Sequence, residues 1–258
     1  MPAGWETLSF GAPLAAGTDA RQRLQDQGFC LLGADELAAL AAYAPGQCAA
    51  AAPLWSNLPA DDYLRDGGHY RFRRHGSFVL DLQPPARLRA VAHRAHWQPT
   101  VYNALHGGML RWFAPLTADL TGLPFWDPLL GGLGRLFAAV RPVPQWFVEA
   151  HQFRIDTREG VGRPTPEGAH RDGVDFVAVV LIARHGIRGG ETRVFELAGQ
   201  RGVRFTLAQP CGALLMDDTR VIHESTPVLP EGEAAEGRRD TLVLTYRAGG
   251  FLDPGADG

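Results

Sequence analysis

The sequence predicts an α+β chain with a mainly β core and flanking helices toward its N-terminus. Two observations carry this. Between Trp146 and Tyr246, apolar runs of strand length follow one another, broken by turns rich in Gly, Pro and acidic residues. Helix start and stop signals gather in the first 145 residues. At 258 residues, a barrel or sandwich of this kind is routinely one domain. The expected division is a helical and mixed part over 1–145 packed on a β core over 146–248, the whole of 1–258 forming one catalytic domain.

The helical part opens with Thr18 as N-cap of a helix over Asp19–Gln27, closed by Gly28. Phe29–Leu32 reads as a short buried strand. Asp35 caps a second helix over Glu36–Tyr43, which Pro45 stops. The Ala49–Ala52 run is compatible with helix. Gly67-Gly68 marks a turn. Beyond it, Tyr70, Phe72 and Arg74 alternate with Arg71, Arg73 and His75. That pattern fits either an exposed charged hairpin or a strand that points an arginine at an anionic substrate group, because a guanidinium matches a carboxylate bidentately. A helix is expected over Met109–Leu120. Another is expected over Asp127–Val140, weakened by Gly131, Gly132 and Gly134. Trp112, Phe113, Phe125 and Trp126 read as core. His93, His96 and His106 lack ligand-like spacing and read as structural or exposed.

The β part begins with Trp146–Ile155, which places His151, Phe153 and Ile155 on one face and Gln152 and Arg154 on the other. Residues 156–167 form a polar loop with Pro164 and Pro166, a lid or an ordinary exposed loop. Strands are expected at Val174–Ile182, around Thr192–Phe195, at Ala213–Asp218, around His223 and at Arg239–Tyr246. Glu231–Gly237 reads as a solvated acidic loop.

Chemistry concentrates between Gly168 and Pro227. His170 and Asp172 are two apart, a spacing that puts both on one face of a strand. His223 follows in a second apolar segment. With nine histidines in the chain, a His-x-Asp motif is not specific alone. Two imidazoles and one carboxylate nevertheless make the ligand set of a facial triad, which holds Fe(II) and leaves positions open.

Charge and cysteine usage narrow the classes further. The net charge of −3 and the lack of a basic stripe exclude nucleic acid as an expected partner. Three scattered cysteines suit neither a disulfide framework nor a thiolate zinc site. Met1–Glu6 shows no basic region followed by an apolar core, and no apolar run approaches the roughly 20 residues that span a bilayer. A cytoplasmic enzyme without membrane association is expected. The oligomeric state stays open, a homo-oligomer included.

The order of these segments resembles the double-stranded β-helix (jelly-roll, cupin-like) core of the Fe(II)/2-oxoglutarate-dependent oxygenases. The flanks His151-Gln152-Phe153-Arg154 and Arg239-Asp240-Thr241 are similar to the bacterial branch of free L-amino-acid hydroxylases (L-isoleucine dioxygenase-like). The likeness spans Trp146–Tyr246, is looser over Asp62–Met109, and is absent before that. It implies a dioxygenase with His170, Asp172 and His223 as catalytic metal ligands and Fe(II), 2-oxoglutarate and O2 as cofactors. It further implies hydroxylation of a small molecule, a free amino acid, with release of succinate and CO2. The distal carboxylate of 2-oxoglutarate needs a buried cation. Arg239, 16 residues after His223, stands where that family places it, and Thr241 adds a hydroxyl. Arg71, His151 and Gln152 are the implied substrate contacts. Halogenation is disfavoured, because halogenating relatives lose the carboxylate that Asp172 supplies.

Two other readings remain. One is an oxygenase acting on a macromolecule. The other is a jelly-roll metal-binding protein without oxygenase activity, or one using Zn(II) hydrolytically. A hydrolytic site needs a general base near the metal water. Glu224 adjoins His223 but faces the other way along a strand.

Overall fold

The computed structural model describes residues 6–7, 19–199, 201–232 and 236–255. The cap expected at Thr18 and the middle of the acidic loop 231–237 lie outside them. In chain order the elements are β1 (Glu6–Thr7), α1 (Ala20–Gln27), β2 (Phe29–Leu32), α2 (Ala34–Ala41), a 3-10 helix (Ala49–Trp55), β3 (Arg71–Asp81), β4 (Arg87–Ala90), α3 (Ala118–Thr121) and α4 (Trp126–Val140). Then come β5 (Gln145–Asp156), β6 (Phe176–His185), β7 (Ile187–Gly189), β8 (Thr192–Glu196), β9 (Gly202–Phe205), β10 (Ala213–Asp217), β11 (Val221–Ser225), β12 (Val228–Pro230) and β13 (Arg238–Arg247).

Two sheets carry the architecture. The larger has seven strands in the order β2-β10-β6-β13-β5-β3-β4, with every pair antiparallel. The smaller runs β1-β9-β8-β11, and β12 pairs with β7 apart from both. The chain is thus mainly β, with antiparallel sheets and few helices.

Strand alternation divides the larger sheet into two faces. One face turns Cys30, Leu32, Ala150, Ala178, Val180, Leu215, Leu242, Leu244 and Tyr246 toward the helices, where they pack with Leu24, Leu37, Trp126, Leu133 and Phe137. The other face meets the smaller sheet: Phe29, Leu31, Val177, Leu214 and Met216 pack with Val194, Phe205 and Val221. Burial of this apolar surface on both faces is what holds the sheets and helices together.

Local sequence explains the ends of the elements. Asp19 caps α1 by accepting the Gln22 N–H at 2.8 Å, and Gly28 closes the helix in the left-handed region at φ 79°. The second helix starts earlier than expected: Gly33 is its N-cap, and Glu36 returns a hydrogen bond to the Gly33 N–H at 2.8 Å.

Three expectations are corrected. Residues 109–117 are not helical; only Ala118–Thr121 forms a turn of helix, because the backbone before it bridges to His96 and His75. Trp112 is 56 % exposed rather than core, whereas Phe113, Phe125 and Trp126 are buried. His170–Asp172 is irregular chain, joined to β11 by a single bridge between His170 and His223. Among the described residues no helix is long and apolar enough to cross a membrane.

Candidate active site

Register builds the cavity. Across β3, β5 and β13, residues in line share a face, giving the rows Arg71–Ile155–Arg239, Arg73–Phe153–Thr241, His75–His151–Val243 and Ser77–Glu149–Thr245. Every row contributes to one cavity wall. His223 and Ser225 of β11 stand across from them, and the loop residues Pro164, Thr165, Glu167, His170 and Asp172 complete the enclosure. This loop is tied to β11: the Thr165 hydroxyl donates to the Ser225 carbonyl at 3.0 Å and accepts the Ser225 N–H at 3.1 Å.

His170, Asp172 and His223 come together although no regular strand carries the first two. Each offers a ligand atom, and these atoms lie within 4.8 Å of one another, close enough to hold a metal ion. His170 Nε2 is 3.5 Å from Asp172 Oδ1. Its Nδ1 donates to the Gly168 carbonyl at 3.0 Å, so Nε2 is the atom that faces the cluster and can offer its lone pair to a metal ion once its proton is lost. Burial opposes a charge on His170, but the Asp172 carboxylate and then Glu167 outweigh it and push its pKa up to about 9. Burial, then the His170 charge, lowers His223 to about 4. Burial also works against the Asp172 charge, yet both histidines hold it below the usual carboxylate range. A divalent cation supplies the positive charge that this cluster otherwise takes from a proton. The donor set, two imidazoles and a carboxylate, suits Fe(II).

A second group of residues holds Asp172 in place. Asp218 accepts N–H bonds from Asp172 (3.0 Å), Gly173 (2.8 Å) and Val174 (3.1 Å). Gln98 donates to Asp172 Oδ1 at 3.3 Å, and Arg111 fixes Gln98 through its Oε1 at 2.8 Å. None of these was evident in the sequence, because the partners lie 13 to 74 residues apart.

Arg239 is 5 % exposed, lines the cavity, and has a buried Nε without a partner. Burial and the Arg184 charge lower its pKa to about 10. No carboxylate pairs with it among the described residues, so it is a buried cation that suits an anionic ligand. Thr241 is buried one row further along the same face. Arg238, on the opposite face, pairs at 3.7 Å with Asp240.

The expected substrate contacts divide. Arg71 and His151 line the cavity. Arg71 Nε bonds Asp61 at 2.7 Å, while its Nη2 has no partner. Gln152 is corrected: it points to the helix side, where its amide donates to the Leu54 carbonyl at 3.0 Å. Glu224 likewise faces away, paired with Arg193 at 3.1 Å.

His75, His96, Glu149 and His151 form a second, fully buried cluster with metal-ligand spacing. Most of their ligand atoms are already engaged, to one another or to arginines, while His75 Nδ1 has no partner. Glu149 accepts from His75 at 3.0 Å, His96 at 3.1 Å and Arg94 at 3.4 Å. Arg73, its guanidinium carbon 3.7 Å from the Phe113 ring centroid and 4.2 Å from that of Phe153, donates to His151 Nδ1 at 2.6 Å. A guanidinium there opposes a dication, so we read the cluster as a hydrogen-bonded wall. His96, expected to be structural or exposed, therefore belongs to the cavity.

The pattern of the 2OG-Fe dioxygenase family matches residues 52–245. The structure of a bsmA homolog from Methylobium petroleophilum PM1 is 60 % identical, with a TM-score of 0.87 over 91 % of this chain and 94 % of that one. IDO from Bacillus thuringiensis shares 16 % identity at a TM-score of 0.72, covering 91 % and 98 % of the two chains. The Fe(II)/α-ketoglutarate-dependent dioxygenase TqaL shares 20 % at 0.66, covering 88 % and 85 %. These two show a common fold. None of the curated proteins matches the chain. With three quarters of its length under the family pattern, the chain belongs to the 2OG-Fe dioxygenase family and is an oxygenase that works with Fe(II), 2-oxoglutarate and O2.

Proposed function

We propose that this oxygenase hydroxylates a free L-amino acid or a similar small molecule, with its iron held by His170, Asp172 and His223. One observation carries the reading: three ligand atoms within 4.8 Å of one another share a cavity with the unpaired buried cation Arg239. We read the two stacked sheets as a double-stranded β-helix and the chain as one catalytic unit. Bound iron and 2-oxoglutarate supply the oxidising chemistry, releasing succinate and CO2.

The residues of the chain bind and orient. His170 enters as a neutral ligand through Nε2, since its Nδ1–H is spent on Gly168. Asp172 brings one negative charge, leaving a +1 site that attracts an anionic co-substrate. Arg239 receives the distal carboxylate of 2-oxoglutarate, and Thr241 adds its hydroxyl. Arg71, with an unpaired Nη2, and His151 face the remaining space, where a small carboxylate-bearing substrate fits. Pro164, Thr165 and Glu167 wall that space on the side of the metal ligands.

The test is succinate release with Fe(II), 2-oxoglutarate and ascorbate against a panel of free amino acids. At least one amino acid is expected to stimulate release. His170→Ala, Asp172→Ala and His223→Ala are each expected to abolish it and to weaken Fe(II) binding. Normal turnover in any of the three sinks the ligand assignment; no stimulation by any amino acid sinks the substrate class.

A further inference from the structure

Polar atoms that a buried cavity leaves without partners report on the ligand it takes. Besides Arg239, the unpartnered wall atoms here include Arg71 Nη2, Arg73 Nε, Arg111 Nε and Glu167 Oε2. Three belong to guanidiniums and ask for an anion. Glu167 Oε2 asks for the opposite.

Glu167 is the less expected of the two. Its side chain is 9 % exposed and lines the cavity beside the metal ligands. Oε1 accepts from the Asn103 amide at 3.4 Å and lies 3.7 Å from His170 Nε2. Among the described residues no arginine forms an ion pair with it, and the chain contains no lysine. No lysine ammonium is therefore offered to this carboxylate. A carboxylate oxygen buried without a donor is costly unless a ligand completes it.

Its neighbours fix what else that ligand carries. Asn103 donates both to Glu167 and, at 3.4 Å, to Gln98 Oε1, the same oxygen that receives Arg111 Nη2 at 2.8 Å. Glu167 and Arg111 thus flank one amide pair and are fixed on one wall. That pair also contacts Asp172, so the wall is anchored to a metal ligand. Charges on and behind this half of the cavity balance: Arg71, Arg73, Arg94 and Arg111 stand against Asp61, Glu149, Glu167 and Asp253. A ligand carrying one charge of each sign keeps that balance, whereas a plain anion or a plain cation breaks it. Val179, Val243 and Leu252 leave an apolar surface for the rest of the ligand.

We propose that Glu167 binds the ammonium group of the substrate while Arg111 takes its carboxylate, so that the site selects a zwitterion. This rests on the metal and 2-oxoglutarate assignment above. Glu167 touches substrate and sets specificity, and it is not a metal ligand.

The experiment is anaerobic binding to the protein loaded with Fe(II) and 2-oxoglutarate, read by perturbation of the charge-transfer band. The twenty L-amino acids are titrated first. The tightest binder is then compared with its des-amino acid, the same carbon skeleton without the amine, on wild type, Glu167→Gln and Glu167→Asp. Wild type is expected to bind the des-amino acid at least about tenfold more weakly. Glu167→Gln is expected to lose at least about tenfold on the amino acid and nothing on the des-amino acid. Glu167→Asp, which keeps the charge but retracts it, is expected to fall between. Equal loss on both ligands, no loss on either, or a fall in Fe(II) affinity in Glu167→Gln overturns the proposal. If no amino acid binds while 2-oxoglutarate still titrates, the zwitterion is wrong and the metal reading stands. If 2-oxoglutarate itself fails to titrate in wild type, the reading beneath the proposal falls with it.

Discussion

Asp218 shows how much of this site is built by residues outside the His170, Asp172 and His223 cluster. Its carboxylate gathers the backbone N–H groups of Asp172, Gly173 and Val174, which shapes the turn on which Asp172 stands. Removing it leaves buried donors unpaired, at about 1–3 kcal/mol for each. Asp218→Ala is therefore expected to weaken Fe(II) binding by about 10–100-fold, the usual effect of losing a group that orients a ligand. An Fe(II) titration monitored beside far-UV circular dichroism checks this; unchanged affinity in a folded variant contradicts it. That His170, Asp172 and His223 belong together was legible from their chemical types, although the strand spacing that suggested it is not what joins them: irregular chain carries the first two. Asp218 was not, since its role depends on backbone groups 44 to 46 residues away. Gln152 was legible and misassigned. Strand parity already separated it from His151, and the cavity follows parity: His151 faces in and Gln152 faces the helices.

The same parity decides what the elements do. β3 looked like either an exposed charged hairpin or an inward strand, and pairing along β5 settles it: Arg71 and Arg73 line the cavity, and His75 is buried on the same face. Sequence periodicity could not choose, because polar residues occupy both faces. The helix expected over Met109–Leu120 fails for a readable reason and an unreadable one. Pro115 interrupts it and disfavours helix at the residue before. The long-range hydrogen bonds from His75 N to the Ala114 carbonyl (2.9 Å) and from Arg111 N to the His96 carbonyl (3.0 Å) that hold it extended are tertiary. In α4, two of the three glycines that weaken helix propensity, Gly132 and Gly134, form its contact surface. A Cβ on Gly132 would lie 2.5 Å from the Ala41 Cα of α2, and one on Gly134 would lie 2.2 Å from Leu80 Cδ2. Gly132→Ala gains propensity but forces two helices apart, so a net loss of about 1–3 kcal/mol is expected in urea unfolding. Stabilisation instead would show that the helix pair has slack.

At the scale of the whole molecule, buried histidines tie stability to pH. Burial first, then nearby arginine charge, lowers His106 to about 4; burial does the same to His96, although Glu149 partly counters it. Unfolded, both titrate near the ordinary histidine value of 6.5. Between about pH 6.5 and 4 the unfolded chain therefore binds more protons, and stability falls as pH falls through that window. Burial works against the Glu149 charge, but His96 and His75 hold it below the usual carboxylate range, so its contribution is lost further down still. His170, raised to about 9, and Asp218, raised to about 7, oppose this, while His223 and His151 shift with His96 and His106. Metal-free protein is therefore expected to unfold at lower urea at pH 5 than at pH 7.5, and a higher midpoint at pH 5 would contradict the buried neutral state of these rings. The larger account stands on the cavity binding iron and 2-oxoglutarate together, with Arg239 closing the co-substrate's far end. Its most direct test is an anaerobic 2-oxoglutarate titration of the Fe(II) charge-transfer band in wild type, Arg239→Ala and Arg238→Ala. Truncating one partner of a buried charge pair costs about 2–5 kcal/mol. The dissociation constant for 2-oxoglutarate is thus expected to rise at least about tenfold in Arg239→Ala, with Fe(II) affinity unchanged and Arg238→Ala close to wild type. A large loss in Arg238→Ala with none in Arg239→Ala, or no charge-transfer band in wild type, would contradict it.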